Sequence, residues 1–479
     1  MSRLPLLSRI IRKLFSESRN YHILGKLQPR WQTPHFARTL KMSSIGGASI
    51  GVGLYAVVSN PVQIAAKPEE ADEKRHHLKN GKGFTNPWDS YVESSPWELL
   101  IKGMLWRKIT GQANSPDTSP PTVSNITVRT IPVHKPTFLP SRETPRLRAT
   151  WLGHACYHVE FPSGFRVLFP VFEDCCAPFT IKSLKRYTPP PCEIEDLPIV
   201  DAVVISHNHY DHLSYPTIQR LKKKFPEAHF FAPLGNKEWF EKSGVTKVTE
   251  LDWWESRDVK LEELSQKGGR VGSVSVSSVD AGKNSGITAT IGALPCQHIS
   301  ARTPFDKAKT LWASWSVESG GAKVYFAGDT GYRTVPSSIP ATEDDYSAAY
   351  SHLPTCPAFS QIGQHRGPFD LGLIPIGAYE PRWMFSNVHA SPKDAVNIFA
   401  DTKCKRALGM HWGTWVLTEE EVMAPPKELQ EACGRALRRA KKALGFATSG
   451  RVLSSSPDKL QGSKCESGRR DRVVRYPSA

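Results

Sequence analysis

Three histidines and one aspartate fall within six residues of each other in the segment 205–213, whose sequence is ISHNHYDHL. Neutral imidazole nitrogens and carboxylate oxygens are the ligands that Zn²⁺ and other borderline divalent metals prefer. His207 and His209 are two residues apart and can converge on one ion, while Asp211 and His212 can turn towards a second. The segment therefore predicts a metal centre.

The metal segment begins where an apolar run, 199–205, ends, and this run has the length and β-branched content of a buried strand. The same arrangement recurs along the chain, because further apolar strands each lead into a polar motif. These strands are 291–295 before His298, 324–327 before Asp329, 371–376 before Glu380 and 407–410 before His411. Ligands at the ends of several strands can converge on one rim of a sheet sandwich.

Helical patterns lie between these strands, at 215–225, 236–243, 392–402 and 427–444. The compact domain is predicted to start near Ala149, with a hairpin formed by strands 151–161 and 166–169. Strands and helices mixed in this way predict two packed sheets with helices outside.

The H-x-H-x-D-H spacing resembles the metallo-β-lactamase fold, which implies an α+β protein built as an αββα sandwich. Longer motifs resemble the family of N-acyl-phosphatidylethanolamine-hydrolysing phospholipases D, in a mitochondrial form of the fungal type, over residues 84–426. These motifs are LDWWE at 251–255, LW at 311–312, SWSV at 314–317, FAGDTGY at 326–332, GPFDL at 367–371, the run 374–383 and HWGT at 411–414.

The resemblance implies two zinc ions held by seven residues. The first ion has His207, His209 and His298, the second has Asp211, His212 and His411, and both share Asp329.

The catalytic residues that the resemblance implies are Asp211, Asp329 and His389. His389 is expected near the phosphate, where it could stabilise or protonate the leaving group; a surface histidine is the alternative. His154 is expected to support the site rather than to bind metal. Two zinc ions close together would activate water as a nucleophile, and hydrolysis of the membrane phospholipid would give phosphatidic acid and an N-acylethanolamine.

The chain departs from the family pattern at two places. Phe169-Pro170 stands where the family usually has Asp-Pro, so the orientation of the ligands is in doubt. An insertion between Tyr332 and Cys356 carries three acidic residues, 343–345. It could be a lid over the metal rim or a solvated loop, and the loop is favoured.

The N-terminal flank predicts targeting to a membrane. Residues 1–41 carry nine Lys/Arg against one acidic residue, with Leu and Ile at helical spacing, which is typical of a mitochondrial transit peptide. A basic surface helix is the alternative. Residues 42–66 contain no charged residue and predict a single inner-membrane anchor, with a flexible linker as the alternative. Gly47 and Gly51 form a GxxxG pair that would suit a homodimer.

The distribution of charge argues against a nucleic-acid partner. The chain has a formal charge of +16, but residues 151–433 have 28 basic and 33 acidic residues, so the basicity lies in the flanks. The Trp- and Leu-rich segment 97–108 is either a helix packed on the main domain or an amphipathic helix on the membrane surface. Nine cysteines without regular spacing predict reduced thiols.

These predictions divide the chain into five parts. They are a transit peptide at 1–41, a transmembrane anchor at 42–66, a linker and membrane-proximal helical segment at 67–148, the catalytic domain at 149–447 and a polar basic tail at 448–479. The catalytic domain is expected in the intermembrane space. Two alternatives stay open: another metal-dependent hydrolase of this fold, such as a lactonase or a nuclease, and a membrane-anchored interaction protein with a vestigial site.

Overall fold

The computed structural model describes residues 54–95, 103, 105–119, 131–170, 172–173, 175–177, 184–263, 286–440 and 452–455. The predicted transit peptide, the GxxxG pair and most of the basic tail lie outside the described residues. The described strands form two sheets of seven strands each.

The first sheet joins the extreme N-terminal strand to strands from the second half of the chain. Its order is β1 (Leu54–Ser59), β8 (Ser256–Glu263), β9 (Thr288–Leu294), β10 (Ser314–Ser319), β11 (Ala322–Phe326), β12 (Leu371–Pro375) and β13 (Ala407–Met410).

The second sheet holds the strands before and after the metal segment. Its order is β14 (Val452–Ser455), β2 (Leu147–Trp151), β3 (Tyr157–Glu160), β4 (Arg166–Phe169), β5 (Ala202–Val204), β6 (His229–Pro233) and β7 (Val248–Leu251).

Seven α-helices and three 3₁₀-helices occur in the described parts of the chain. The α-helices are α1 (Arg107–Ile109), α2 (Tyr215–Lys224), α3 (Lys237–Lys242), α4 (Ala358–His365), α5 (Arg382–Phe385), α6 (Pro392–Asp401) and α7 (Ala424–Ala440), and the 3₁₀-helices are Glu69–Glu73, Ile194–Asp196 and Ala348–Tyr350.

Two apolar cores explain why the layers stack. The inner faces of both sheets meet in one core, in which Trp151, Phe169 and Trp315 are buried. A second core lies between the second sheet and its helices, where Val203 of β5 packs with Leu221 of α2. Because β5 is buried on both faces, its sequence is continuously apolar instead of alternating. The α+β class and the αββα sandwich are confirmed.

The strand directions bring the ligand-bearing ends to one edge. Strands β11, β12 and β13 are mutually parallel, and so are β4 to β7. Strand β9 runs in the direction of β11, because each is antiparallel to β10. The residues that follow β5, β9, β11 and β13 are therefore placed where they can meet.

The sheets extend beyond the predicted domain limits of 149 and 447. Strand β14, inside the predicted tail, pairs with β2, and β1 pairs with β8 from Leu54↔Glu263 to Ser59↔Asp258. The predicted linker is also structured in part, because residues 67–95 pack against the domain through the contacts described below.

Strand β1 changes the prediction of a membrane span at 42–66. Residues 54–59 are hydrogen-bonded in the sheet, so they are not part of a membrane helix, and residues 42–53 lie outside the described residues. Among the described residues, no helix combines the length and the apolarity that crossing a membrane requires. Tyr55, Val57 and Val58 are aromatic or β-branched residues, which suit a half-buried edge strand. Their place in the sheet accounts for the uncharged sequence of this part of the run.

The insertion between Tyr332 and Cys356 is an ordered loop fixed to the body of the domain. The guanidinium of Arg333 lies 4.7 Å from the ring centre of Tyr346. The hydroxyl of Tyr346 donates to Asp394 of α6, and Arg382 forms an ion pair with Asp345 at 2.8 Å. These contacts support the loop interpretation over a mobile lid.

Candidate metal centre

Three histidines form the first cluster at the converging strand ends. His207 Nε2 lies 2.9 Å from His209 Nδ1 and 3.2 Å from His298 Nε2, and the last two atoms are 3.3 Å apart. Tetrahedral zinc with Zn–N bonds of about 2.0–2.1 Å requires nitrogens about 3.3 Å from one another. The spacing of the cluster therefore fits one face of a tetrahedral metal site.

The second cluster contains two histidines and two carboxylates. Asp211 Oδ2 lies 3.4 Å from both His212 Nε2 and His411 Nε2. Asp329 Oδ2 lies 3.1 Å from His212 Nε2 and 2.8 Å from His411 Nε2. These four side chains surround a second position with the same ligand spacing.

Asp329 lies between the two clusters. Besides its contacts with the second cluster, its Oδ2 atom is 3.8 Å from His207 Nε2 and 3.9 Å from His298 Nε2 of the first. A carboxylate in this position can share its charge between two cations. The structure thus brings together all seven residues of the predicted ligand set.

Unpaired polar atoms show that the residues fit a metal. His212 Nε2, His411 Nε2 and Asp329 Oδ1 are buried and make no well-formed hydrogen bond, although Asp329 Oδ2 lies within 3.1 Å of both nitrogens. Buried polar atoms are nearly always paired, so unpaired atoms within these groups of metal-type ligands fit bound cations. Two divalent metals would pair these atoms.

The electrostatics of the second cluster depend on its two carboxylates. Burial lowers the pKa of His212 and of His411, but Asp329 and Asp211 outweigh it and raise these pKa values to about 9 and about 10. Both rings are then protonated at neutral pH, and metal binding has to displace those protons. Affinity for metal is therefore expected to fall as the pH is lowered.

His389 and His154 flank the ligand set on two sides. The ring of His389 lies 5.3 Å from that of His411 and 5.2 Å from that of His298, and burial lowers its pKa to about 4. His154 Nε2 lies 3.0 Å from Asp211 Oδ2, and burial lowers its pKa to about 3. A neutral His154 can donate to Asp211 and hold its carboxylate in place.

Two of these histidines have a backbone in the left-handed region. The φ angle is +50° at His154 and +62° at His411, values that non-glycine residues rarely adopt. The two residues hold each other, because the His411 amide donates to the His154 carbonyl at 3.1 Å. Such conformations cluster at functional sites, where the surrounding structure maintains them.

The residue that departs from the family pattern, Phe169, has an apolar role. Its ring stacks on Phe326 with centres 4.1 Å apart, and it is buried between the sheets. Phe326 ends β11, three residues before Asp329. Phe169 therefore supports the base of the turn that carries Asp329 and adds no polar contact to the ligands.

The sequence did not reveal how the segment before the domain supports the first cluster. The Asn86 side-chain amide donates to the His298 carbonyl at 2.8 Å, and the Ser90 hydroxyl donates to Gln297 at 2.6 Å. The FTNPW motif at 84–88 was the sequence signal available for these contacts. It could not identify the partners of Asn86 and Ser90, because they lie more than 200 residues away in the chain.

A third group of metal-type side chains lies outside the centre. Asp252, in the LDWWE motif, contacts His76 Nε2 at 2.7 Å, His77 Nε2 at 2.9 Å and Lys74 Nζ at 3.1 Å. These contacts satisfy both carboxylate oxygens, and the lysine supplies the positive charge that a metal would bring. Asp252 therefore fastens the segment 74–77 to the domain.

The fold and this centre define a metal-dependent hydrolase. A family model described as "Beta-lactamase superfamily domain" matches residues 166–412, more than half of the chain. The chain therefore belongs to the β-lactamase superfamily, whose fold binds divalent metal.

Comparison with related proteins identifies the family within this superfamily. The chain is 34% identical to "N-acyl-phosphatidylethanolamine-hydrolyzing phospholipase D 1" of Caenorhabditis elegans, over 74% of this chain and 87% of that protein. It is 30% identical to "N-acyl-phosphatidylethanolamine-hydrolyzing phospholipase D, mitochondrial" of Saccharomyces cerevisiae, over 62% of this chain and 54% of that protein. The chain belongs to the family of N-acyl-phosphatidylethanolamine-hydrolysing phospholipases D.

Among solved structures, Igni18, a metallo hydrolase from Ignicoccus hospitalis, superposes with a TM-score of 0.39 at 16% identity. The match covers 65% of this chain and 98% of that one.

Proposed function

We propose that this protein is a zinc-dependent phospholipase D that hydrolyses N-acyl-phosphatidylethanolamine to phosphatidic acid and an N-acylethanolamine. The observation that carries the proposal is the position of Asp329 Oδ2, within 3.9 Å of imidazole nitrogens from both clusters. In two-metal phosphodiesterases the ions lie about 3.5–4 Å apart and stabilise both the attacking and the leaving oxygen, and a carboxylate shared between two sites can hold ions at such a separation. Another hydrolase of this fold is the alternative, and the substrate distinguishes the two.

The roles follow from the geometry of the two clusters. His207, His209 and His298 hold one metal, Asp211, His212 and His411 hold the other, and Asp329 joins them. Zinc is proposed because five imidazoles with two carboxylates match its ligand preference.

The metals, when bound, supply Lewis acidity to the phosphate oxygens and activate water at neutral pH. The chain's own residues arrange the rest of the reaction. Water attacks phosphorus, the bond from phosphorus to the ethanolamine oxygen breaks, and the leaving oxygen takes a proton. His389 faces both clusters and is proposed to donate a hydrogen bond to the phosphate or to the leaving oxygen, while His154 holds Asp211.

Purified protein is expected to contain about two zinc ions per chain, as two adjacent sites require. Metal content is measured by mass spectrometry, and turnover is measured with a radiolabelled N-acyl lipid, with and without chelator. Chelation should abolish turnover, and added zinc should restore it. A metal-free but active preparation contradicts the metal centre. A metal-loaded preparation that hydrolyses a lactone or RNA but not the lipid favours the alternative.

We also propose contact with a membrane surface through the segment that includes α1. Leu105, Trp106 and Ile109 are 56%, 58% and 69% exposed, next to the basic residues Arg107 and Lys108. Large exposed apolar side chains beside basic ones suit an anionic lipid interface. The substrate stays in the bilayer, so such contact would bring the centre to it.

The segment is also fixed to the domain, as the alternative of a helix packed on the main domain predicts. Arg107 pairs with Glu419, and a side chain at Gly103 would collide with Met384 of α5, with Cβ only 2.2 Å from its Cε atom. A homodimer through Gly47 and Gly51 remains part of the proposal.

The proposed location is the mitochondrial inner membrane, with the domain in the intermembrane space. The support is the basic, acid-poor residues 1–41 and the relative named mitochondrial. After rupture of the outer membrane, added protease is expected to digest the domain. Protection of the domain, while known intermembrane-space proteins are digested, would place it in the matrix. Complete release by an alkaline wash would show that the protein is attached at the membrane surface only; residues 42–53, which β1 leaves of the predicted span, are shorter than the about 20 residues of a membrane helix.

A further inference from the structure

One hydroxyl lies between histidines of the two metal clusters. Ser206 Oγ is 3.0 Å from His207 Nδ1 and 3.3 Å from His212 Nδ1. His207 belongs to the first cluster and His212 to the second, and each directs its Nε2 atom at its own cluster. Ser206 is therefore placed to act on both metal positions at once.

The protonation of the rings decides what the hydroxyl does. A histidine that binds metal through Nε2 carries its proton on Nδ1, and the acceptor of that proton fixes the tautomer and the orientation of the ring. A serine oxygen has two lone pairs, so it can accept from both rings. When both rings bind metal through Nε2, Ser206 Oγ accepts from their Nδ1–H groups and holds them in this tautomer.

The other Nε2 ligands do not share an acceptor in this way. His298 Nδ1 donates to the Val388 carbonyl at 2.9 Å. His411 Nδ1 is buried without a hydrogen-bond partner. Ser206 is the one residue of the described chain shown to contact a ring of each cluster through Nδ1.

Ser206 is itself held firmly in place. It is 3% exposed, and its carbonyl accepts from the Ala313 amide at 2.9 Å. Gly328 packs against it, because a Cβ atom at position 328 would lie 2.8 Å from Ser206 Cβ, and the φ angle of Gly328 is +62°. Gly328 directly precedes Asp329, so Ser206 also contacts the turn that carries the shared carboxylate.

We propose that Ser206 is a positioning residue that couples the two metal sites, so that its loss weakens both together. The inference rests on the proposed metal centre. Removing an outer hydrogen-bond partner of a metal ligand typically weakens metal binding by about 10–100-fold. Here the same loss is expected at two sites from one substitution.

The test compares Ser206→Ala with Ser314→Ala, a matched control. Ser314 is also fully buried, but its hydroxyl donates to the Pro295 carbonyl at 2.9 Å. Both variants and the wild type are loaded with zinc and dialysed against graded zinc–chelator buffers, and metal per chain is measured by mass spectrometry. Ser206→Ala is expected to lose both ions at roughly 10–100-fold higher free zinc than the wild type, while Ser314→Ala follows the wild type. Ser206→Thr keeps the hydroxyl and is expected to retain both ions.

Three results would overturn the coupling. They are wild-type zinc retention by Ser206→Ala, weakening of one site alone, or a metal-free Ser206→Ala protein whose melting temperature falls well below that of Ser314→Ala. The last would make the role of the hydroxyl merely structural. A wild type that binds no zinc would instead overturn the proposed centre, so failure of the two ideas can be told apart.

Discussion

Asp329→Asn is expected to lower kcat/KM on the order of 10³-fold or more, which corresponds to about 4 kcal/mol of lost transition-state stabilisation. The substitution keeps the size of the side chain but removes the negative charge that the two proposed cations would share. Burial alone would raise the pKa of Asp329, but His212 and His411 outweigh it and hold this pKa well below its usual range. The residue is therefore a carboxylate at neutral pH, and asparagine cannot replace its charge.

The fold is expected to survive this substitution, because asparagine fills the same space. Turnover of the labelled lipid, zinc content and the melting temperature are measured together. Asp370→Asn is the matched control, since Asp370 pairs with Lys405 at 2.8 Å at the start of β12, away from the metal centre. Wild-type turnover in Asp329→Asn would mean that Asp329 does not lie at the metals.

The positions of the proposed ligands could be predicted because they follow short apolar runs that form strands. Strands 166–169 and 407–410 match their predicted bounds, since turn residues or charges limit both runs. Once several strands end in polar motifs, parallel neighbours place these motifs at one edge. The sequence pattern therefore predicts that His298, Asp329 and His411 converge.

The edge strands could not be predicted, because their partners are remote in the chain. Leu54 pairs with Glu263, and Val452 pairs with Thr150. An uncharged, β-branched run has the same composition in a sheet edge and at the end of a membrane span. Only the tertiary pairing decides between the two, and it makes residues 54–59 of the predicted span at 42–66 an edge strand.

Polar contacts that support the centre escaped prediction for a similar reason. Ser206 is adjacent to a ligand in sequence, yet nothing in its residue type shows that its oxygen lies between two rings. Asp252 meets His76 across 176 positions of sequence. Side-chain partners at such separations are set by the packing of whole layers, which the periodicity of hydrophobic residues does not specify.

The second large effect is expected at His389, which we propose to act on the substrate and not on the metals. Its Nδ1 atom is buried without a hydrogen-bond partner, and its ring lies between those of His298 and His411. Its pKa is lowered to about 4 by burial, an effect that His411 reinforces and Asp329 opposes. The ring is therefore neutral at pH 7, and it would act by donating an N–H hydrogen bond to phosphate charge that develops in the transition state.

His389→Gln is expected to lower kcat by about 10²-fold, the size of effect seen when one donor to a developing charge is removed. KM and the content of two zinc ions should stay close to wild type, because the contact strengthens only in the transition state.

The matched control is His229→Gln. His229 also has a pKa lowered to about 4 by burial, but its Nε2 atom lies 2.8 Å from Thr249 Oγ1, between β6 and β7. Since the neutral form of His389 persists well above its pKa, the ratio of wild-type to variant kcat should be constant through neutral pH. Loss of one zinc ion from His389→Gln would make this residue a ligand, in line with its proximity to Asp329 and His411. Unchanged kcat would place the phosphate elsewhere on the rim.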